Sequence, residues 1–337
     1  MNKPHRFRNT AFCFLLAGTL AACSADPDTD TSVDTPTVPL AELHTGPFQI
    51  LNAFSAAGSS SKTAQIIAPK IEQYLDQPVE LVFSQGRTAG VESVADGNAI
   101  AMSTIGLMAL LPAVMADYPV DPFTDLRPIT RTTGTPDLLV VRSDLDINSV
   151  QELVDYSTAN TGELRYFHIA PASIHRLEWA AFFGELGISG TLDTSRSNGN
   201  DDAMAGIIDG TLDMMISTSP YMTELIESGA GVPIAVVNPT RMPLFPDVPT
   251  LLELGSESMP SGSWAGVFAP GGTSDEDINR IFEAMQFAMA DPEVIAAIDA
   301  IGMEINLSES PTEFSSFLQS EIQRLAIAAE QYNFRTD

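Results

Sequence analysis

From residue 48 onward, short apolar runs are separated by stretches in which apolar residues recur about one helical turn apart. Phe48–Phe54 predicts a strand that runs into the small-residue segment Ser55-Ala56-Ala57-Gly58-Ser59-Ser60-Ser61. Ile66, Ile67, Ile71 and Tyr74 then recur about a turn apart, the pattern of a helix. Further buried strands are predicted at Val79–Phe83, Ile100–Thr104, Leu138–Val141, Arg165–Ile169, Leu212–Ile216 and Ile234–Val237. Helices are predicted between them at Ile147–Ala159, Ile174–Leu186 and Asp201–Ile208. Strands alternating with helices in this way predict a parallel α/β arrangement.

The last third reads as helical and well punctuated. Ser274 is placed to cap a helix whose first turn holds Asp275, Glu276 and Asp277, which suits the positive end of the helix dipole. Asp291-Pro292 opens another helix, which Gly302 ends. Ser310-Pro311-Thr312-Glu313 is a capping-box pattern ahead of Phe314–Tyr332. None of these helices carries an obvious chemical group, and they read as scaffold.

Upstream of residue 47 the periodicity is lost. Lys3, His5, Arg6 and Arg8 precede apolar Ala11–Leu20, and small residues lead to Cys23, the pattern of an export signal over residues 1–22. The apolar run is short for a permanent bilayer span. Leu20-Ala21-Ala22-Cys23 resembles the lipobox of bacterial lipoproteins, where cleavage leaves the cysteine as a new N-terminus carrying diacylglycerol; an ordinary secretory signal is the alternative. On the first reading Cys13 is lost with the leader and Cys23 is the lipidation site and sole thiol, so no internal disulfide forms. Residues 23–46, rich in Asp, Thr, Pro and Ser, read as a flexible tether.

A length of 337 residues suits two α/β domains, and an apolar content of 44% supplies their cores. Acidic residues outnumber basic ones 44 to 16, a net charge of −28. Without Lys3, Arg6 and Arg8 the mature chain keeps 13 cations and a charge of −31. This excludes a nucleic-acid binder, which needs cations facing phosphates. It favours a soluble monomer and suggests a saline habitat.

Candidate chemistry is sparse. His5 and His44 fall in the leader and the tether, which leaves His168 and His175, too few with the available cysteine to support a zinc site; no metal and no cofactor is expected. No G-x-S-x-G elbow occurs, and no pair of acids stands out as glycosidase-like. The segment Gly58-Ser59-Ser60-Ser61-Lys62-Thr63 is not a P-loop, because Ala56 and Ser61 stand where that motif needs glycine. A helix N-terminus does bind anions through unpaired N–H groups. Small residues at 56–61 would admit a ligand to that backbone; a plain Ser-capped turn fits equally. Ala170-Pro171-Ala172-Ser173-Ile174-His175 is a second turn of the same kind, with His175 either a contact or a structural histidine. Two such turns facing each other would hold a dicarboxylate end to end.

The order of further motifs is similar to the extracytoplasmic receptors of tripartite tricarboxylate transporters, the TctC-like or Bug family. The resemblance is carried by Phe54–Ser60, Gln77-Pro78-Val79, Asp96-Gly97 and Tyr118–Leu126, then by Gly210–Met215, Phe245–Thr250, Trp264–Pro270 and Ala290–Val294. It covers nearly everything from Phe48 to Gln331. It implies an α/β, two-lobed periplasmic-binding-protein fold of type II character. Each lobe would be a mostly parallel sheet flanked by helices, with the ligand cleft between lobes. Lobe 1 would comprise residues 47–135 and 241–337 and lobe 2 residues 136–240, with crossover strands near Thr130–Asp137 and Val237–Arg241.

Carried over position by position, the resemblance implies ligand contacts at Phe54, Ser55, Ala56, Ala57, Gly58, Ser59, Ser60 and Thr104 in lobe 1. In lobe 2 it implies Ala170, Ala172, Ser173, His175, Ser217 and Thr218. The usual Pro-Pro-Gly-Gly-type loop is here Ser-Ala-Ala-Gly, the Gln85–Val94 segment is abbreviated, and Ser217 replaces a common Asp, so ligand identity does not carry over. Arg196 could pair a carboxylate or lie on the surface. The function expected is non-enzymatic: a lipid-anchored periplasmic receptor that hands a small carboxylate, di- or tricarboxylic or aromatic, to transporter membrane subunits. A sensory lipoprotein signalling to a membrane partner is the alternative.

Overall fold

The computed structural model describes residues 46–91, 96–167, 173–193, 199–256 and 262–334. The chain starts one sheet with β1 (Phe48–Asn52), helix α1 (Ser59–Leu75), β2 (Val79–Val82) and β3 (Ala99–Thr104). A wide π-helical turn over Gly106–Leu110 leads into the short α2 (Leu111–Val114), and β4 (Leu126–Thr135) follows. Pro136 alone separates β4 from β5 (Asp137–Arg142), which belongs to a second sheet. That sheet is built with α3 (Val150–Ala159), β6 (Leu164–Phe167), α4 (Ile174–Leu186), β7 (Gly190–Leu192), α5 (Asn200–Asp209), β8 (Met214–Thr218), α6 (Ser219–Glu227) and β9 (Gly231–Val237). The chain then returns to the first sheet as β10 (Ser263–Pro270) and closes with α7 (Asp275–Met289), α8 (Pro292–Ala300), β11 (Glu304–Ile305) and α9 (Pro311–Gln331).

Among the described residues the sheets order as β11-β4-β10-β3-β1-β2 and β7-β6-β8-β5-β9. β1, β2 and β3 pair in parallel, as do β6, β7 and β8. Apart from the short β11, the strands that run against them are those entered from the other sheet. β10 is antiparallel to β3 and β4, and β5 is antiparallel to β8 and β9.

β10 is buried along its whole length, and the two-residue period of a strand divides its side chains between two cores. Trp264 and Phe268 join Phe314 and Leu318 of α9, while Val267 and Ala269 join Ile67 and Ile71 of α1 and Ile281 and Met285 of α7. Gly266 lets α9 approach: a Cβ there would meet Phe314 Cζ at 2.6 Å. The predicted caps form. Ser274 Oγ accepts from Asp277 N, Ser310 Oγ from Glu313 N and Asp291 Oδ1 from Glu293 N, and Gly302 takes a positive φ of 72°.

Several predicted bounds shift. The strand expected at Leu212–Ile216 is β8, two residues later, because Asp213 is spent on a turn: its carboxylate accepts Arg165 N at 2.7 Å and the Arg165 guanidinium at 2.7–2.8 Å. The first strand ends at Asn52 rather than Phe54, and α3 starts at Val150 under a Ser149 cap rather than at Ile147. The second crossover strand stops at Val237, since Asn238 Nδ2 bonds Thr240 O and turns the chain. The predicted strand at Arg165–Ile169 runs Leu164–Phe167, and positions 168 and 169 lie outside the described residues.

Candidate functional site

After β1 the chain turns through Ser55–Gly58, and α1 begins with Gly58 in extended conformation at its N-cap. A Cβ on Gly58 would crowd Phe54 Cβ at 3.0 Å, so the tight turn calls for glycine. No side chain caps α1 and its first turn holds no acid, so its amide groups and positive dipole end stay open. The three serines divide. Ser61 Oγ turns inward to Phe54 O, Ser59 Oγ meets Thr218 Oγ1 at 3.2 Å, and the Ser60 hydroxyl is buried without a partner.

The starts of α4, α5 and α6 converge on the same space. A cavity of about 620 Å³ is lined by Gly58–Ser60 of α1, Ser173–His175 of α4, Gly199–Asp201 of α5, and Thr218 and Tyr221 of α6. These ends are not equivalent. α5 carries Asp201 and Asp202 in its first turn, which offset its dipole, and α6 has Pro220 there, which has no N–H to offer. α4 has no acid in its first turn, and Ser173 Oγ occupies only Arg176 N, at 3.2 Å. Among the described residues the open positive ends are therefore those of α1 and α4. Ile105, Leu107, Leu111, Met115 and Trp264 supply an apolar wall, and Arg87 is a cation on the lining.

Of the residues named from sequence, Phe54, Ser55, Ala57, Gly58, Ser59, Ser60, Thr104, Ser173, His175 and Thr218 line this cavity together. Two do not. The Ala56 carbonyl turns outward to accept Gln65 Nε2 at 2.8 Å. Ser217 is fully buried in β8, with its Oγ 2.9 Å from Asn200 Oδ1. Ala170, Ala172, Arg196 and Cys23 lie outside the described residues. Sequence reasoning missed Arg87, Asn200, Tyr221 and the apolar wall. Arg87 and Tyr221 carried no motif, but Asn200 directly follows the positive-φ Gly199 that opens α5, a signal that could have found it.

Behind His175 lies a buried acidic pair. His175 Nε2 is 3.4 Å from Asp137 Oδ1, Ser263 Oγ donates to Asp137 Oδ2 at 2.7 Å, and Glu178 stands one turn along α4 from His175. Burial, followed by the Asp137 charge, pushes the Glu178 carboxyl well above its usual range, with Arg324 opposing. The sequence signal was the His-x-x-Glu spacing, which puts both side chains on one face of a helix.

With this geometry established, the chain can be compared with known proteins. The model of the tripartite tricarboxylate transporter family receptor matches residues 64–333. The chain is 27% identical over 288 residues to protein BugT of Bordetella pertussis, covering 83% of this chain and 87% of that protein. The periplasmic binding protein BugD superposes with a TM-score of 0.77 at 21% identity, covering 87% of this chain and 99% of BugD. MatC of Rhodopseudomonas palustris with bound malate gives 0.72 at 22% identity, covering 84% and 98%. A second R. palustris protein, with adipate, gives 0.76 at 23%, covering 86% and 98%. What these structures share with the chain is the fold, two α/β lobes as in periplasmic binding proteins.

Proposed function

We propose, from the premise that this chain belongs to the tripartite tricarboxylate transporter receptor family, that it captures a small organic carboxylate outside the cytoplasm and passes it to transporter membrane subunits. The observation that carries the reading is the pair of open helix starts, α1 and α4, on one cavity, beside the unpartnered Ser60 hydroxyl. Oriented amides attract an anion at short range without a lysine clamp, and the distant negative surface is screened by salt. The malate and adipate held by two fold neighbours support a carboxylate here as well. Binding would draw the lobes together, because only the closed state touches the ligand from both sides. In this reading residues 47–135 and 241–337 move as one lobe and 136–240 as the other. Lipid on Cys23 and the tether to residue 46 hold the receptor at the membrane of the periplasm.

The test is titration of the purified protein with a panel of mono-, di- and tricarboxylates, aliphatic and aromatic, by calorimetry and thermal shift. A saturable response to at least one class is expected, and Ser60→Ala weakens it. No response to any member at millimolar concentration overturns the reading.

A further inference from the structure

Three buried donors converge behind the α4 end of the cavity: Asp137 on β5, and His175 and Glu178 one turn apart on α4. One ligating atom of each lies within 4.8 Å of the others, and the residues are 0%, 6% and 2% exposed. Carboxylates withdrawn from water need compensation. Arg324, whose charge acts on Glu178, is already engaged by both Glu321 oxygens, at 2.8 and 3.0 Å. Among the described residues no donor reaches either Glu178 oxygen and His175 Nδ1 has no partner, while the Glu178 carboxyl faces that of Asp137 closely enough to share a proton with it.

The His175–Asp137 separation is informative. At 3.4 Å it is long for a charge-assisted hydrogen bond, which runs about 2.7–2.9 Å. It is the spacing of two donors that each stand about 2.0–2.1 Å from one tetrahedral ion, roughly 3.4 Å. Glu178, whose ligating atom already lies within 4.8 Å of the other two, stands on the third side.

We propose that Asp137, His175 and Glu178 form a three-ligand site for a borderline divalent cation of the Zn²⁺ class, with its open position toward the cavity. One imidazole with two carboxylates suits such first-row ions better than Mg²⁺ or Ca²⁺, which prefer oxygen alone. The ion offsets both buried carboxylates and adds positive charge beside the start of α4. Ser263, which donates to Asp137 at 2.7 Å and lines the cavity, orients that ligand from behind. Coordination through Nε2 leaves the proton of His175 on Nδ1, and the charge of the ion would draw a carboxylate entering the cavity. That last role rests on the receptor reading; the ion site itself does not.

The test is Zn²⁺ titration of the chelator-stripped full chain by calorimetry, with metal analysis after desalting, in wild type, Glu178→Gln and His175→Ala. Melting curves establish that each variant folds. About one ion per wild-type chain is expected, with at least tenfold weaker binding in each variant, and with carboxylate binding tighter in zinc than in chelator. Equal uptake by all three proteins overturns the site. No uptake by wild type also overturns it and leaves a proton shared between Asp137 and Glu178 as the compensating charge. If a variant fails to fold, Co²⁺ added to wild type gives the second reading: ligand-field absorption supports the site and its absence overturns it. Carboxylate binding that ignores both chelator and zinc, with no zinc uptake, sinks the ion site and spares the receptor reading. Zinc uptake with no carboxylate response does the reverse.

Discussion

The Ser59 hydroxyl of α1 lies 3.2 Å from the Thr218 hydroxyl at the start of α6, joining the two sheets across the edge of the cavity that both residues line. Tyr221 reinforces the junction by donating to Ala57 O at 3.3 Å, with Lys62 Nζ 5.7 Å from its ring centre. These contacts bridge the lobes and need both of them in place.

Ser59→Ala should therefore act on closure. The expected effect is a roughly 2- to 10-fold loss of carboxylate affinity, the worth of one neutral hydrogen bond, expressed mainly as faster ligand release in stopped-flow measurements. A variant that changes the association rate alone would contradict this assignment.

Ser60→Ala removes a buried hydroxyl that has no partner in the protein. Folding stability should hold or rise, because an unsatisfied buried group is lost, while affinity falls roughly 10- to 100-fold, as for a hydrogen bond to a charged group. Thermal melts with and without ligand separate the two effects.

Ionic strength offers a third check. A site gripping its anion through helix amides inside a chain of net charge −28 gains from screening, since salt weakens long-range repulsion more than contact interactions. Affinity measured between about 0.1 and 1 M NaCl should hold or rise. A steep fall would point instead to Arg87 as the principal anchor.

Burial pushes the Tyr118 hydroxyl up to about 12, with Arg87 nearby opposing. Its folded value lies above the ordinary value of about 10, so its contribution to stability is complete below that pH and is lost as pH rises toward 12. Tyr118→Phe should flatten the alkaline limb of the stability profile. Superimposable wild-type and variant profiles up to pH 12 would contradict this role.

Gly266→Ala sets a Cβ 2.6 Å from the fully buried Phe314 ring. Overpacking of this kind costs about 1–3 kcal/mol, and should appear as a lower urea midpoint with the slope unchanged.

Local chemistry was legible in the linear chain. Ser274, Asp291 and Ser310 cap the helices they precede, because a cap is settled within four residues. The small-residue turn ahead of α1 was readable for the same reason. β4 was hidden from the pattern: Thr130, Thr132 and Thr133 are fully buried yet polar, and β10, Ser308 and Thr63 pack against them to complete their hydrogen bonds. The convergence of α1 with α4 was foreseen as a possibility but required the two sheets to be set opposite each other. Asp137 and His175 stand 38 residues apart, and nothing along the chain joins them; the single-residue crossing at Pro136 brings the strand to the helix. Sequence by itself determined most of the elements, their caps and the loops able to meet an anion, since those depend on neighbours along the backbone. Tertiary structure alone decided which helix ends stay open, which serine stays unpartnered and which buried acids meet, because those depend on neighbours across space.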